Sequence, residues 1–180
     1  MKGIAKRLAI SMLAVYLCLG AQAQERVFGD WWVALEADPI TDENSSRMWA
    51  MAWDNPAFTY RDAEGVFIIR CNLGEGEVEV FFVLDTMSFR LLERDYSGAA
   101  TFRIDKGEVR TSRGAPSTRG TAFFFNDRDV PALLKDLVGA SNFVFRIETE
   151  NEGTLTYQTR VEGFAEAYEY SEIGSCGSQP

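Results

Sequence analysis

The chain has 180 residues, of which 46% are hydrophobic, and it includes 13 Phe and 4 Trp. This composition is typical of a folded protein and argues against a disordered one. The net charge of −9 opposes binding to nucleic acids, whose phosphates are also negative. The sequence has no histidine, which excludes a Ser-His-Asp triad, a Cys-His pair and a His-ligated zinc ion.

The first 23 residues have the pattern of a secretory signal peptide. Three basic residues precede an apolar run over residues 8–20, and a small-x-small cleavage site follows at residues 21–23. We therefore expect a cleaved segment of residues 1–23 and one periplasmic domain of residues 24–180. The apolar run is shorter than the roughly 20 residues that span a membrane, so a retained anchor is the less favoured alternative. Removing three of the 18 basic residues leaves 15 against 27 acidic ones, a net charge of −12.

Runs rich in aromatic and β-branched residues predict strands along most of the mature chain. In chain order they cover residues 28–35, 47–53, 66–69, 77–83, 101–104, 108–110, 120–125, 143–149 and 154–161. Short segments rich in Gly, Asn, Asp and Glu join three pairs of these strands and predict hairpins, with Gly107 expected to take a positive φ in the second. Residues 111–120 are expected to form an exposed loop.

Two short helices complete the predicted elements. Asp129 is expected to cap the first helix, Pro131 suits its first turn, and Gly139 is expected to end it. The segment 164–168 predicts a second helix. The fold class is therefore mainly β (α+β): a single antiparallel sheet or sandwich domain with one or two short helices packed on it.

Two cysteines, Cys71 and Cys176, remain after export, because Cys18 leaves with the signal peptide. In an oxidising compartment two cysteines most simply pair with each other; bonds to two other chains are the alternative. Closing a loop of this length is expected to stabilise the fold by about 4–5 kcal/mol in the chain-entropy model.

Candidate interaction residues fall into two groups. Trp31, Trp32 and Trp49 belong to an early tryptophan cluster, and exposed tryptophans can anchor a partner. Because adjacent strand residues face opposite sides, Trp31 and Trp32 cannot both face inwards. Arg113 and Arg119 make the 111–120 loop basic, which suits an acidic partner segment. Core packing and a solvated loop are the commoner roles for residues of these types.

Carboxylates near turns are the remaining candidates for chemistry: Asp38, Asp42, Glu43, Asp127 and Asp129. Paired carboxylates can hydrolyse glycosides or bind calcium, but neither group has the spacing of a calcium loop. Turn and cap roles are commoner for such residues. We therefore predict no catalytic residue, no metal site and no cofactor.

Several short motifs occur in an order that resembles a known family. They are Pro39-Ile40-Thr41-Asp42-Glu43 after a Trp-led strand, Ile69-Arg70-Cys71, Phe102-Arg103-Ile104-Asp105, the Phe-x-Phe-Arg strand at 143–146, and Val161-Glu162-Gly163-Phe164 before the terminal cysteine. With these motifs the chain resembles the accessory family associated with bacterial type VI secretion, the VasI or TagO-like proteins.

The resemblance implies a non-enzymatic periplasmic accessory or protein-interaction module with a protein partner in the cell envelope. It implies that Cys71 and Cys176 pair, and that the matching residues Arg70, Arg103, Asp105 and Gly163 have structural roles. The alternative is a small carboxylate-based hydrolase or binder of cell-wall glycans. That alternative predicts two carboxylates within about 5–10 Å across a groove flanked by tryptophan.

Overall fold

The computed structural model describes residues 24–37, 44–54, 64–72, 76–84, 99–149 and 153–176. Within these residues the strands are β1 Gln24–Phe28, β2 Trp31–Ala37, β3 Asn44–Asp54, β4 Glu64–Asn72, β5 Glu77–Leu84, β6 Ala99–Ile104, β7 Arg110–Arg113, β8 Ala115–Pro116, β9 Ala122–Phe124, β10 Asn142–Thr149 and β11 Gly153–Arg160. The helices are α1 Val130–Leu137, α2 Phe164–Ser171 and a 3-10 turn at Ile173–Ser175.

All of these strands belong to one antiparallel sheet. Its order is β7-β6-β10-β11-β3-β4-β5-β9-β8, and the β1–β2 hairpin branches from β3. The branch is possible because β3 is long: residues 44–50 pair with β2, and residues 52–54 of the same strand pair with β11. The prediction of a mainly β domain with one antiparallel sheet and packed helices is confirmed.

The strands at the two ends of this order, β7 and β8, are joined through Gly114. Strand β7 pairs with β6 at one end, β8 pairs with β9 at the other, and Gly114 alone separates them in the chain. A Cβ at Gly114 would overlap the Phe124 carbonyl group, so the close passage of the two backbones requires glycine. The sheet therefore curls until its ends join, and one face becomes an interior.

Phenylalanines fill this interior from opposite strands. Phe67 of β4 stacks on Phe143 of β10, and Phe82 of β5 stacks on Phe145 of β10, each pair with ring centroids 4.7 Å apart. Such offset aromatic pairs add about 0.5–1.5 kcal/mol each to the burial of their apolar area. The same alternation that buries these rings turns their sequence neighbours to the outer face.

Both predicted helices form. In α1, four apolar residues from Val130 to Leu137 are buried, and Gly139 follows the helix with φ +83°. Asp129 is the N-cap residue of α1 as predicted, but its side chain makes no capping hydrogen bond. Its backbone is already helical, and its carboxylate instead accepts a hydrogen bond of 2.6 Å from the Ser112 hydroxyl. In α2, Phe164 is buried against Trp31, with ring centroids 5.0 Å apart.

Four other predictions differ from the structure. The 28–35 strand is a hairpin, because Gly29 and Asp30 turn the chain between β1 and β2. The predicted 108–110 strand shares only Arg110 with β7. The predicted 111–120 loop contains the rest of β7 and all of β8, whose short sequences depend on β6 and β9 for their pairing. In the β6–β7 hairpin Asp105, and not Gly107, has a positive φ, of 48°. Asp is among the non-glycine residues enriched in this conformation, and the Asp105 carboxylate is held by the backbone N–H groups of Ser141 and Asn142.

Candidate interaction surface

Cys71 and Cys176 form a disulfide bond. Cys71 lies near the end of β4 and Cys176 follows the 3-10 turn, with their Cα atoms 5.6 Å apart and a sequence separation of 105. The predicted pairing is therefore confirmed. The bond joins the C-terminal segment to β4, where Cys71 directly follows Arg70.

The adjacent tryptophans Trp31 and Trp32 point to opposite sides of the sheet. Trp31 is completely buried between Phe67 and Phe164, so it belongs to the core and not to any surface. Its indole N–H has no hydrogen-bond partner among the described residues. Trp32 is half-buried on the outer face, directly opposite Trp49 in the β2–β3 register.

The outer face carries an uninterrupted line of apolar side chains, which we term the apolar row. Each member lies opposite the next in register across six strands: Val27, Trp32, Trp49, Ile68, Phe81 and Phe124. Val27 is 58% exposed at the end of the row. Phe81 stacks on Phe124 with ring centroids 4.7 Å apart. The row joins two tryptophans of the predicted cluster to four residues that sequence reasoning missed.

Two ion pairs lie beside the apolar row. Arg47 and Arg70 are directly opposite each other, which by itself is repulsive. Each has its own carboxylate: Glu36 is 2.8 Å from Arg47, and Glu79 is 2.6 Å from Arg70. Because these groups are largely solvated, each pair contributes at most about 1 kcal/mol. Within each pair the opposite charges cancel.

The same arginines also contact the aromatic rings of the row. The Arg47 guanidinium lies 5.6 Å from the Trp49 ring centroid, and that of Arg70 lies 5.0 Å from the Phe81 ring centroid. Cation–π contacts at exposed sites are worth roughly 0.5–1 kcal/mol each. They hold the rings against the sheet. Arg70, which the family resemblance places in a structural role, thus has an ion pair and a ring contact.

The predicted arginines Arg113 and Arg119 do not belong to the row. Both are exposed, and neither forms an ion pair with a described residue. Their neighbour Arg110 pairs with Asp136 at 2.8 Å and lies over the ring of Phe102. A role of Arg113 and Arg119 in binding stays a prediction.

The other three residues that match the family motifs, Asp105, Gly163 and Arg103, lie outside the apolar row. The Asp105 carboxylate accepts hydrogen bonds from the backbone N–H groups of Ser141 and Asn142, at 3.0 and 2.8 Å, and so joins the β6 turn to the start of β10. Gly163 precedes α2 with φ +84°. Arg103 is exposed on the outer face of β6.

Of the five candidate carboxylates, the structure describes Asp127, which is exposed in the turn before α1, and Asp129. Asp129 is engaged with Ser112, whereas Asp38, Asp42 and Glu43 lie outside the described residues. Among the residues that the structure describes, no group of three or more Cys, Asp or Glu is placed to hold a metal ion. No helix in these ranges is long and apolar enough to cross a membrane.

Comparisons with known proteins do not assign a family. No protein-family model, curated protein or solved structure matches the chain. The resemblance to the type VI accessory proteins therefore stays a prediction that depends on the motifs alone.

Proposed function

We propose that the mature domain is a non-enzymatic interaction module of the periplasm, which binds a protein partner of the cell envelope through the apolar row. The support is the row itself, which places Val27, Trp32 and Trp49 side by side on the outer face. Association through aromatic anchors with a polar border is typical of protein–protein interfaces.

A protein suits this surface better than other ligands because of its border. The paired charges of Glu36–Arg47 and Glu79–Arg70 cancel, so they attract neither a polyanion nor a polycation. A protein can place apolar side chains on the row and polar groups of both signs along its edge. The disulfide bond is compatible with export to an oxidising compartment. The proposed role in type VI secretion depends on the family resemblance alone.

Site-specific photo-crosslinking in the native envelope tests the proposal. A crosslinker at Trp32 or Val27 should capture the same partner, identified by mass spectrometry, whereas a crosslinker at Val109 should not. Val109 is 67% exposed and lies off the row, which makes it a matched control. With the purified partner, Trp32→Ala or Trp49→Ala should raise the Kd at least about tenfold, the scale of an interface anchor.

The outcomes separate the two parts of the proposal. Equal capture from Val109 and Trp32, or an unchanged Kd for both tryptophan variants, would overturn the interaction surface. Capture of an envelope protein outside any type VI apparatus would keep the interaction module and overturn the secretion role. The glycan hydrolase alternative stays a prediction, because three of its candidate carboxylates lie outside the described residues.

A further inference from the structure

A second surface, distinct from the apolar row, lies on the outer face of β6, β10 and β11. It carries Arg103, Arg146 and Arg160, one on each of these neighbouring strands, and we term it the arginine face. The register places Arg103 opposite Val144 and Arg160 opposite Asn142. With strands about 4.8 Å apart and a rise of about 3.3 Å per residue, the Arg103 Cα lies roughly 8 Å from that of Arg146 and roughly 12 Å from that of Arg160.

The three guanidinium groups are not neutralised by the described part of the protein. All three side chains are exposed, and none forms an ion pair with a described residue. Arg146 donates a hydrogen bond of 3.2 Å to the Thr156 hydroxyl. Glu148 follows Arg146 on the same face without pairing with it. In a chain of net charge −9, this excess of positive charge is a local exception.

Neutral hydrogen-bonding groups occupy the space between the arginines. The Gln158 amide donates to the Asn142 side-chain oxygen at 2.9 Å. Because each amide has both donors and an acceptor, the pair still offers one acceptor and further donors to a ligand. These groups match a ligand with many hydroxyls better than a purely ionic one.

An exposed aromatic ring borders the arginine face. Trp53 of β3 lies opposite Gln158 in register, is 43% exposed, and has the Arg160 guanidinium 5.9 Å from its ring centroid. An exposed indole presents a flat apolar surface that can pack against the C–H face of a sugar ring. Arginine beside it presents a planar fork that matches a carboxylate.

We infer that the arginine face binds a sugar chain that carries carboxylate groups. The inference does not depend on the protein partner or on the apolar row. Nucleic acid is disfavoured because its phosphates are much denser, with one charge per about 1.7 Å of duplex, than carboxylates carried once per sugar, so the acidic domain repels it more strongly. An acidic peptide could use the arginines but would leave Trp53 and the Gln158–Asn142 pair without a matching group.

Binding of defined polymers to the purified mature domain tests the inference. The probe is polygalacturonate, a sugar chain with carboxylates; dextran supplies sugar without charge, and polyglutamate supplies charge without sugar. Polygalacturonate should bind more tightly than either control at equal ionic strength. Replacing Arg103, Arg146 and Arg160 together with Gln should weaken it roughly tenfold or more, since three exposed ion pairs are lost.

Matched variants make each outcome decisive. The triple replacement of Arg26, Arg128 and Lys135 with Gln changes the net charge equally at other exposed positions and should leave polygalacturonate binding within about twofold. Trp53→Ala should weaken polygalacturonate several-fold without affecting any residual binding of polyglutamate. Circular dichroism of each variant checks the fold. Absence of polygalacturonate binding, equal binding of polyglutamate, or equal loss in both triple variants would overturn the inference.

Discussion

Gly163 packs directly against the backbone of Phe28, so the turn before α2 and the turn between β1 and β2 lie back to back. A Cβ at Gly163 would overlap the Phe28 carbonyl group, and a Cβ at Gly29 would overlap that of Glu162. The Asp30 N–H donates to the Glu162 carbonyl oxygen at 3.0 Å across the same contact. This contact positions α2 beneath the β1–β2 hairpin, whose outer face carries Val27 and Trp32.

Gly163→Ala is therefore expected to destabilise the protein for two reasons. The left-handed backbone costs a non-glycine residue about 1–2 kcal/mol, and the steric overlap adds about 1–3 kcal/mol. Gly139→Ala is the control, because Gly139 has φ +83° against +84° at Gly163 but has open space around it. Urea unfolding measures both. If both variants lost the same free energy of unfolding, the close contact between Gly163 and Phe28 would have no effect on stability.

Replacement of both Cys71 and Cys176 by Ser should lower the free energy of unfolding by about 4–5 kcal/mol, because the unfolded chain regains the freedom of a long loop. The measurement is the denaturant midpoint of the oxidised protein, the reduced protein and the double variant. The reduced protein and the double variant should agree. A midpoint that does not change on reduction would contradict the expected role of the disulfide.

The Ser112–Asp129 hydrogen bond should stabilise the fold more than any capping by Asp129. Ser112 is fully buried, and its hydrogen bond to a carboxylate predicts a loss of about 1.5–3 kcal/mol for Ser112→Ala. Asp129→Ser keeps a residue that caps well but breaks this bond, so it should cost a similar amount. The double variant should lose little more than either single one. Additive losses, or a neutral Asp129→Ser, would refute the assignment.

Alkaline pH should weaken the fold through Tyr168. Burial raises the pKa of this tyrosine, which stacks on Phe164 with ring centroids 5.6 Å apart. Above a pH of about 10 the unfolded chain loses the phenol proton before the folded one does. The unfolded state then binds fewer protons, so stability falls as pH rises, while below this range both states are protonated and the effect vanishes.

Tyr168→Phe should remove this part of the alkaline loss. Urea unfolding of the wild type and the variant between pH 8 and pH 11 measures it. The free energies of unfolding of the two proteins should differ by a constant amount up to about pH 9. Above about pH 10, where the tyrosine titrates, the two values should converge or cross. Parallel curves over the whole range would rule out a contribution from Tyr168.

The parts of the fold that the sequence predicts are those indicated by the side-chain pattern of a few consecutive residues. The β10–β11 hairpin follows from alternating side chains, and the β4–β5 hairpin from a continuous apolar run followed by an alternating one; both form as expected. The β1–β2 hairpin is missed because β1, Gln24–Phe28, begins with three polar residues and lacks an apolar alternation, although Gly29-Asp30 is a two-residue turn signal. Strand β8, of two residues, has no pattern of its own and exists because β9 pairs with it.

The candidate surfaces depend on relationships that no local pattern contains. Alternation alone predicts that Trp31 and Trp32 face opposite ways, but only the position of Phe67 and Phe164 decides that Trp31 is the buried one. Likewise, Arg103, Arg146 and Arg160 come from distant segments, and strand order places them on adjacent strands.

The sequence by itself determined the mainly β character of this protein, its acidic charge, the hairpins of its regular strands and its pair of available cysteines. These properties follow from composition and from side-chain periodicity over a few residues. The tertiary structure alone decided where the sheet closes at Gly114, which tryptophan is buried and which residues share the apolar row and the arginine face. The physical reason is that register and burial depend on contacts between residues far apart in the chain, and such contacts exist only once the sheet has curled around its core.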